Sequence, residues 1–418
     1  MLDDGGFAIA GETGKYRDIT NLWQNGDIWL VRTNSEGDTL WTKTYVHDGM
    51  DEAFSIQQTS DGGFIIGGAL ASPLGWYNAG LIRTDMNGDT LWTKSYKISN
   101  QSWVQSVEET PDGGFIFTGS LSNDIWLVRT DADGVIIWEK TFGTSGTDLG
   151  KKVKQTSDGG FIVTGYVRPP GAGRDLKLIR TDAAGDTLWT RVYNGDTINS
   201  EDRGLDIHVM DDDSFVVLGQ AGLTGWLLRA DEQGDTLWAH TYNVGLPLET
   251  LIQTSDGGFV FGGAHLTRTD GSGNVIWSVS LGGFIYSIHQ VSDNGFVVTG
   301  YSFSEDSRHV LWIHRLGTDN TTFLDDDVMT PSGYGLFQNY PNPFNPATTI
   351  TYELSEPEFV RLSVYDVTGR KVNTLVERMQ SAGRHTIVLD ATGFSSGTYI
   401  YRIEAGSFIS TGKMVLLK

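Results

Sequence analysis

The chain has 418 residues with a formal net charge of −22, 53 Gly, 13 Trp and no Cys. That length allows two or three domains with buried cores. The missing cysteine removes disulfides, thiolate metal sites and a cysteine nucleophile, and the acidity disfavours nucleic acid and anionic membrane surfaces as partners.

The charge is uneven: residues 335–418 hold 8 Lys and Arg against 7 Asp and Glu, so the acidic excess lies upstream. No apolar run approaches the roughly 18 residues of a membrane span. The opening MLDDGGFAIAG lacks the charged, apolar, small-residue layout of a signal peptide and already reads as a strand of a repeat.

Along the chain that repeat recurs seven times, with its Phe at Phe7, Phe64, Phe115, Phe161, Phe215, Phe259 and Phe296 and a Gly four residues after each. An Arg ends a later apolar run in every copy: Arg32, Arg83, Arg129, Arg180, Arg229, Arg268 and Arg315. Nine residues after the first six of these stands a Trp: Trp41, Trp92, Trp138, Trp189, Trp238 and Trp277. A fixed period of this kind is the mark of a repeat architecture.

Each unit resolves into four short strands, as in EAFSIQQT, GGFIIGG, AGLIRT and DTLWTKSY, joined by the turns TSDGG and TDMNGD. In the second turn Asp85 can accept from the backbone two residues on and Gly88 can take positive φ, which fits a hairpin closing into a bulge. The middle strands are apolar on both faces, so they belong to sheets sandwiched between other sheets. Four-stranded units stacked face to face predict an all-β, seven-bladed β-propeller over 1–324. Its terminal blades are incomplete, because the first repeat begins at its second strand and the seventh ends in a degraded fourth. We expect truncation upstream of residue 1, with the signal peptide missing from this chain for that reason.

These repeats resemble bacterial secreted propeller repeats. The order of apolar strand, Asp, Gly and Trp also resembles the tryptophan-docking repeats of quinoprotein dehydrogenases, but the spacing from Asp to Trp is one residue short, so no cofactor is implied.

A polar linker is expected over 325–335, with Asp325, Asp326 and Asp327 in a row. Beyond it, alternation at 348–354, 359–365, 385–389, 398–404 and 408–416 predicts an immunoglobulin-like β-sandwich over 336–418. NYPNPFNP, VYDVTGR, SSGTYIYR and the terminal KMVLLK resemble the C-terminal sorting domain of the type IX secretion system. The resemblance implies export by the outer-membrane translocon, to the medium or the cell surface, and a sorting motif at Pro341, Asn342, Pro343, Phe344, Asn345 and Pro346. The prolines keep that segment out of regular ladder pairing.

The acidic turns resemble calcium loops, yet no bidentate carboxylate recurs downstream, so they are expected to be hairpins. Weak calcium at Asp131 and Asp133 is the one metal expectation; no cofactor is called for. The same turns sit close to the Asp box of sialidases, itself a fold element. The seven Arg are expected to be architectural, in register with the turn Asp. GFSSG at Gly393 matches the nucleophile pattern G-x-S-x-G but runs into a strand rather than a helix, so it is a turn.

Function in such a ring should sit where the repeat breaks. The long connections after Gly11, Ala69 and Tyr166 join second to third strands and should gather at one end; the one after Tyr193 belongs to another connection. Trp23, Trp76, Tyr77 and Tyr16 in these segments could stack on sugar rings or anchor a protein. The expectation is a monomeric binding or adhesion module for an extracellular glycan or protein. The alternatives are a polysaccharide-degrading enzyme with catalytic groups in the divergent loops, or a structural surface protein.

Overall fold

The computed structural model describes all residues except 1, 3, 14–25, 47–50, 72–76, 97–100, 195–200, 246, 304–308, 318–321, 325–333, 338, 340–341, 355–357, 381–382 and 418. The chain divides into two compact units, Met1–Tyr301 with His314–Leu324, and Ser302–Ile313 with Asp325–Lys418. Every described element is a β-strand.

Residues 7–324 form seven antiparallel sheets, each with its strands in chain order. The first has three strands, Phe7–Thr13, Asp27–Thr33 and Thr39–Tyr45; the other six have four. The degraded seventh repeat does close its sheet, through the three-residue strand Thr322–Leu324, in which Leu324 pairs with Arg315. Middle strands are buried on both faces, as Phe64, Ile65 and Ile66 show with at most 1% exposure. This is a β-propeller, and the first strands of successive blades pack against one another at its centre.

The contact that joins blades is the indole. Each Trp meets the repeat Phe of the next blade: Trp41 on Phe64 at 6.2 Å, Trp92 on Phe115 at 5.9 Å and Trp138 on Phe161 at 5.8 Å. Trp189, Trp238 and Trp277 do the same to Phe215, Phe259 and Phe296 at 6.2, 6.2 and 6.1 Å. These rings are half-buried, so they seal an interface with one face and leave the other to water.

A second junction was not foreseen. Four residues after the Trp, the hydroxyls of Tyr45, Tyr96 and Tyr242 donate to the turn carbonyls of Gly88, Gly134 and Gly273 in the next blade, at 2.9, 2.8 and 2.7 Å. Burial raises the pKa of all three, and Tyr193, which makes the same bond to Gly234, is pushed up to about 12. These phenols therefore stay protonated donors. Gly88 meets two demands at once: its φ is 76°, and a Cβ there would strike the Trp41 ring.

Repeat acids divide into two structural jobs. In the second hairpin, Asp85 Oδ1 accepts the amides of Asn87 and Asp89, both at 2.8 Å, and Asp131, Asp182, Asp231 and Asp270 repeat that pattern. Asp131 thus serves its own turn, accepting from Asp133 and Val135. Because these carboxylates bend backbone, stripping divalent ions with a chelator is expected to leave the melting temperature unchanged within about 1 °C, as read by a thermal scan.

In the first hairpin the Asp takes the repeat Arg. Arg83 and Asp61 lie at 2.6 Å, Arg180 and Asp158 at 2.7 Å, Arg229 and Asp212 at 2.8 Å, Arg315 and Asp293 at 2.6 Å; Arg32, Arg129 and Arg268 pair likewise with Asp4, Asp112 and Asp256. The arginines are architectural as expected, but their partner is the Asp of the first hairpin, not the turn Asp beside them. The Arg83 hydrogen bond is the main cause that holds Asp61 at about 2. Burial pulls Asp158 upward, but Arg180, the Gly160 amide and the Thr156 hydroxyl outweigh it and also leave it at about 2.

A carboxylate with a depressed folded pKa contributes stability that is full above its unfolded pKa, near 3.9, and lost as pH falls through the folded value. Acid unfolding should therefore be concentrated between about pH 4 and 2. Arg83→Gln should move its midpoint to higher pH, read by tryptophan fluorescence. Each pair contributes modestly, because the Asp side is mostly solvent-exposed.

The C-terminal unit contains two antiparallel sheets. One orders Gly335–Leu336, Ala347–Leu354 and Gly383–Asp390; the other orders Lys371–Gln380, Glu358–Asp366, Gly397–Ala405 and Phe408–Leu416. Both bury side chains in one core, with Ile350, Tyr352 and Leu389 from the first and Leu362, Tyr401 and Met414 from the second. The strand Lys371–Gln380 escaped the alternation rule. Two register shifts against its partner, at Leu362/Ser363 and Val364/Tyr365, break its period of two.

Candidate functional site

In the six described four-stranded blades the first strand is the innermost, and its unpaired edge needs protection. Polar side chains of the preceding blade supply it. Ser55 Oγ and Gln57 Oε1 accept the amides of Val107 and Glu109 at 3.2 and 2.6 Å, and Asp206 Oδ2 accepts Leu251 N–H at 2.9 Å. Most polar groups of these strands are thus committed to the fold.

One position per strand departs from this pattern. In all six described inner strands the register against the second strand slips once, between Ala53/Ser55, Val104/Ser106, Gly150/Lys152, Gly204/Asp206, Leu248/Thr250 and Ile285/Ser287. The residues skipped are Phe54, Gln105, Lys151, Leu205, Glu249 and Tyr286. A bulge re-aims the side chain it carries; Leu205 turns into the core shared with the sixth blade, whereas Phe54 and Tyr286 are exposed and Gln105, Lys151 and Glu249 are half-buried. The repeat Gly marks the place: a Cβ on Gly68, Gly119, Gly165 or Gly263 would collide with the carbonyl of Glu52, Trp103, Leu149 or Pro247 on the bulged strand.

At this level residues from distant blades meet. Lys151 Nζ of the fourth blade stands 3.3 Å from Gln105 Oε1 of the third and 3.5 Å from Glu249 Oε2 of the sixth. Tyr286 of the seventh blade stacks on Tyr301 at 5.6 Å with 21° between planes, yet is 52% exposed. Burial, then the Glu249 and Tyr301 neighbours and Glu12 of the first blade, push its pKa up to about 12. Tyr286 of the seventh blade and Glu249 of the sixth are therefore neighbours at this level. One turn of strand away, burial pushes His289 down to about 4, with Lys152 adding to the effect. Among the described residues no group of three or more His, Cys, Asp or Glu is placed to hold a metal ion.

Of the aromatics singled out by sequence, Trp23, Trp76 and Tyr16 lie outside the described residues. Tyr77 opens the strand Tyr77–Thr84 opposite Ala71 and is half-buried. The connections after Gly11 and Ala69 fall largely outside the described residues; the one after Tyr193 meets the one after Tyr166. Asp202 N–H donates to Arg174 O at 2.8 Å, and Glu201 receives Arg174 and Arg203, both of which lie over the Tyr166 ring. Sequence reasoning also missed the buried Asp51, Asp148 and Asp202, each bonded to the backbone amide twenty residues on, at 2.7, 2.7 and 3.1 Å. Their signal was the Asp that opens DEAFS, DLGKK and DRGLD.

A second site lies in the C-terminal unit. Pro341 falls outside the described residues. Asn342 Nδ2 donates to Lys413 O at 3.1 Å and its Oδ1 accepts Val415 N–H at 2.8 Å. Phe344 runs parallel to the last strand, donating to Val415 O and accepting from Leu417 N–H, both at 3.0 Å, with its ring in the core at 2% exposure. Pro343 and Pro346 follow cis bonds, and Asn345 and Pro346 are exposed. The Asn-Pro segment and the terminal KMVLLK, far apart in sequence, thus make one edge of the sheet.

Residues 338–417 match the family described as secretion system C-terminal sorting domain. A search of curated sequences found no significant match. Among solved structures, a protein of unknown function from Bacteroides caccae is 13% identical with a TM-score of 0.42, covering 65% of this chain and 93% of its own. PorZ, an essential surface component of the type IX secretion system of Porphyromonas gingivalis, is 12% identical with a TM-score of 0.47; the match covers 98% of this chain but 58% of PorZ. BamB from Moraxella catarrhalis is 14% identical with a TM-score of 0.45, over 91% and 99%. Likenesses this distant add nothing to the fold, which stands on the sheets themselves. The chain is therefore a β-propeller carrying a type IX sorting domain at 338–417, which implies interaction with that machinery and secretion to the cell surface or outside.

Proposed function

We propose that the exported ring is a binding or adhesion module that takes a glycan or a protein at the mouth of its channel on the side of the long connections. The observation that supports this is the bulge position. Around a frame whose Phe, Gly, Arg and Trp positions repeat, this one position holds an aromatic, an amide, an ammonium, an aliphatic, a carboxylate and a phenol. Repetition serves packing, and departure from it where side chains keep contact with water, chiefly at Phe54 and Tyr286 and in part at Lys151 and Glu249, serves recognition. Tyr77, half-buried at the start of its strand, is the one described aromatic among those singled out by sequence and would add to that contact, and the module acts as a monomer.

The full chain would be screened on glycan and extracellular-protein arrays beside Lys151→Met. A ligand whose signal falls in the variant supports the proposal; no ligand, or ligands indifferent to the variant, overturns it. Light scattering during gel filtration checks the monomer.

A further inference from the structure

We propose that the channel takes a neutral saccharide end-on, with two adjacent ring hydroxyls held between Lys151 and Glu249 and a pyranose face laid on Tyr286. This deepens the binding proposal above and rests on it.

The argument begins with the ion pair. Lys151 and Glu249 come from blades two apart, and their 3.5 Å separation exceeds the roughly 2.7–2.9 Å of a good charge-assisted hydrogen bond. Their side chains are only 22% and 25% exposed. They are drawn from water, but neither is satisfied by the other alone. Leu205, the bulge residue of the blade between them, is buried in the core beside Tyr242 and Leu248 and so does not stand between the two charges.

A donor and an acceptor set side by side suit neighbouring hydroxyls: one accepts from the ammonium, the other donates to the carboxylate. Hydrogen bonds to charged groups are stronger than neutral ones, enough for selectivity between a hydroxyl and its absence. Gln105 supplies orientation, since its carbonyl already faces Lys151 at 3.3 Å and its amide nitrogen is turned to the other side. Tyr286 supplies the platform: the residue is 52% exposed, while Tyr301, near parallel to it, fixes the plane of its ring. Aromatic faces of this kind give area at low entropy cost.

Charge narrows the class. At −22 the molecule repels acidic glycans at long range, whereas a neutral sugar meets no such barrier. A peptide could also use a donor and acceptor pair, but a flat exposed phenol next to them favours the sugar.

Calorimetry on the full chain would compare methyl hexopyranosides with intact adjacent hydroxyls, their monodeoxy counterparts and neutral dipeptides. The intact sugars should bind, with at least a tenfold loss on removing one hydroxyl. Glu249→Gln, nearly isosteric, and Lys151→Met should each cost at least tenfold, with thermal unfolding confirming that both variants fold. Tyr286→Phe should bind within about twofold of the parent, while Tyr286→Ala should not bind. Equal affinity for intact and deoxy sugars, or no saccharide binding at all, overturns the inference. Dipeptide binding without sugar binding, lost in Glu249→Gln, also overturns it yet leaves the wider binding proposal standing.

Discussion

Replacing Trp92 by alanine should lower the unfolding free energy by about 3 kcal/mol, near the lower end of the range for deleting a large aromatic because the indole is half-buried. The loss has two parts. One is the apolar area that Trp92 covers over Phe115, with ring centroids 5.9 Å apart and planes at 71°. The other is the gap opened beside Gly134, whose lack of a side chain exists to admit this ring. Chemical denaturation of the full chain measures it. A loss under about 1 kcal/mol would mean that the indole decorates the surface and that the blades are held by something else.

The second large effect is a paired one. Gly119→Ala places a methyl against the Trp103 carbonyl at the bulge of the third blade, where backbone rather than a flexible side chain is struck. Overpacking against backbone should cost about 3 kcal/mol and should displace Gln105, the bulge residue, from Lys151. Gly11 holds the same repeat position in the first blade, whose described sheet has only three strands, and a Cβ there meets nothing within 4 Å. Gly11→Ala should therefore change stability by no more than about 0.5 kcal/mol. Equal costs at the two positions would show that the repeat Gly answers to backbone conformation and not to the bulge.

The ring, its strand count per repeat and the hairpin character of the acidic turns were all legible in the chain, because period, alternation and turn chemistry are local. So was the sorting domain, since its Asn-Pro segment and final strand carry their pattern in consecutive residues. The partner of each Arg was harder to read: two Asp per repeat are available, and only the folding back of the first hairpin selects one. The bulge positions were illegible. Phe54, Gln105, Lys151, Leu205, Glu249 and Tyr286 share no chemistry, and nothing in their immediate neighbours distinguishes them from other strand residues.

Local sequence by itself determined which segments become strands, how they turn, and that each indole must find an apolar partner. Tertiary structure alone decided that this partner is the next blade's Phe, that the first strand is the innermost, and that Lys151 reaches Glu249 across two blades. The physical reason is that periodicity specifies which face of a strand is apolar but not what covers it. Closing the ring sets those partners, and the collision of one carbonyl with the space beside a repeated Gly re-aims an ordinary strand position.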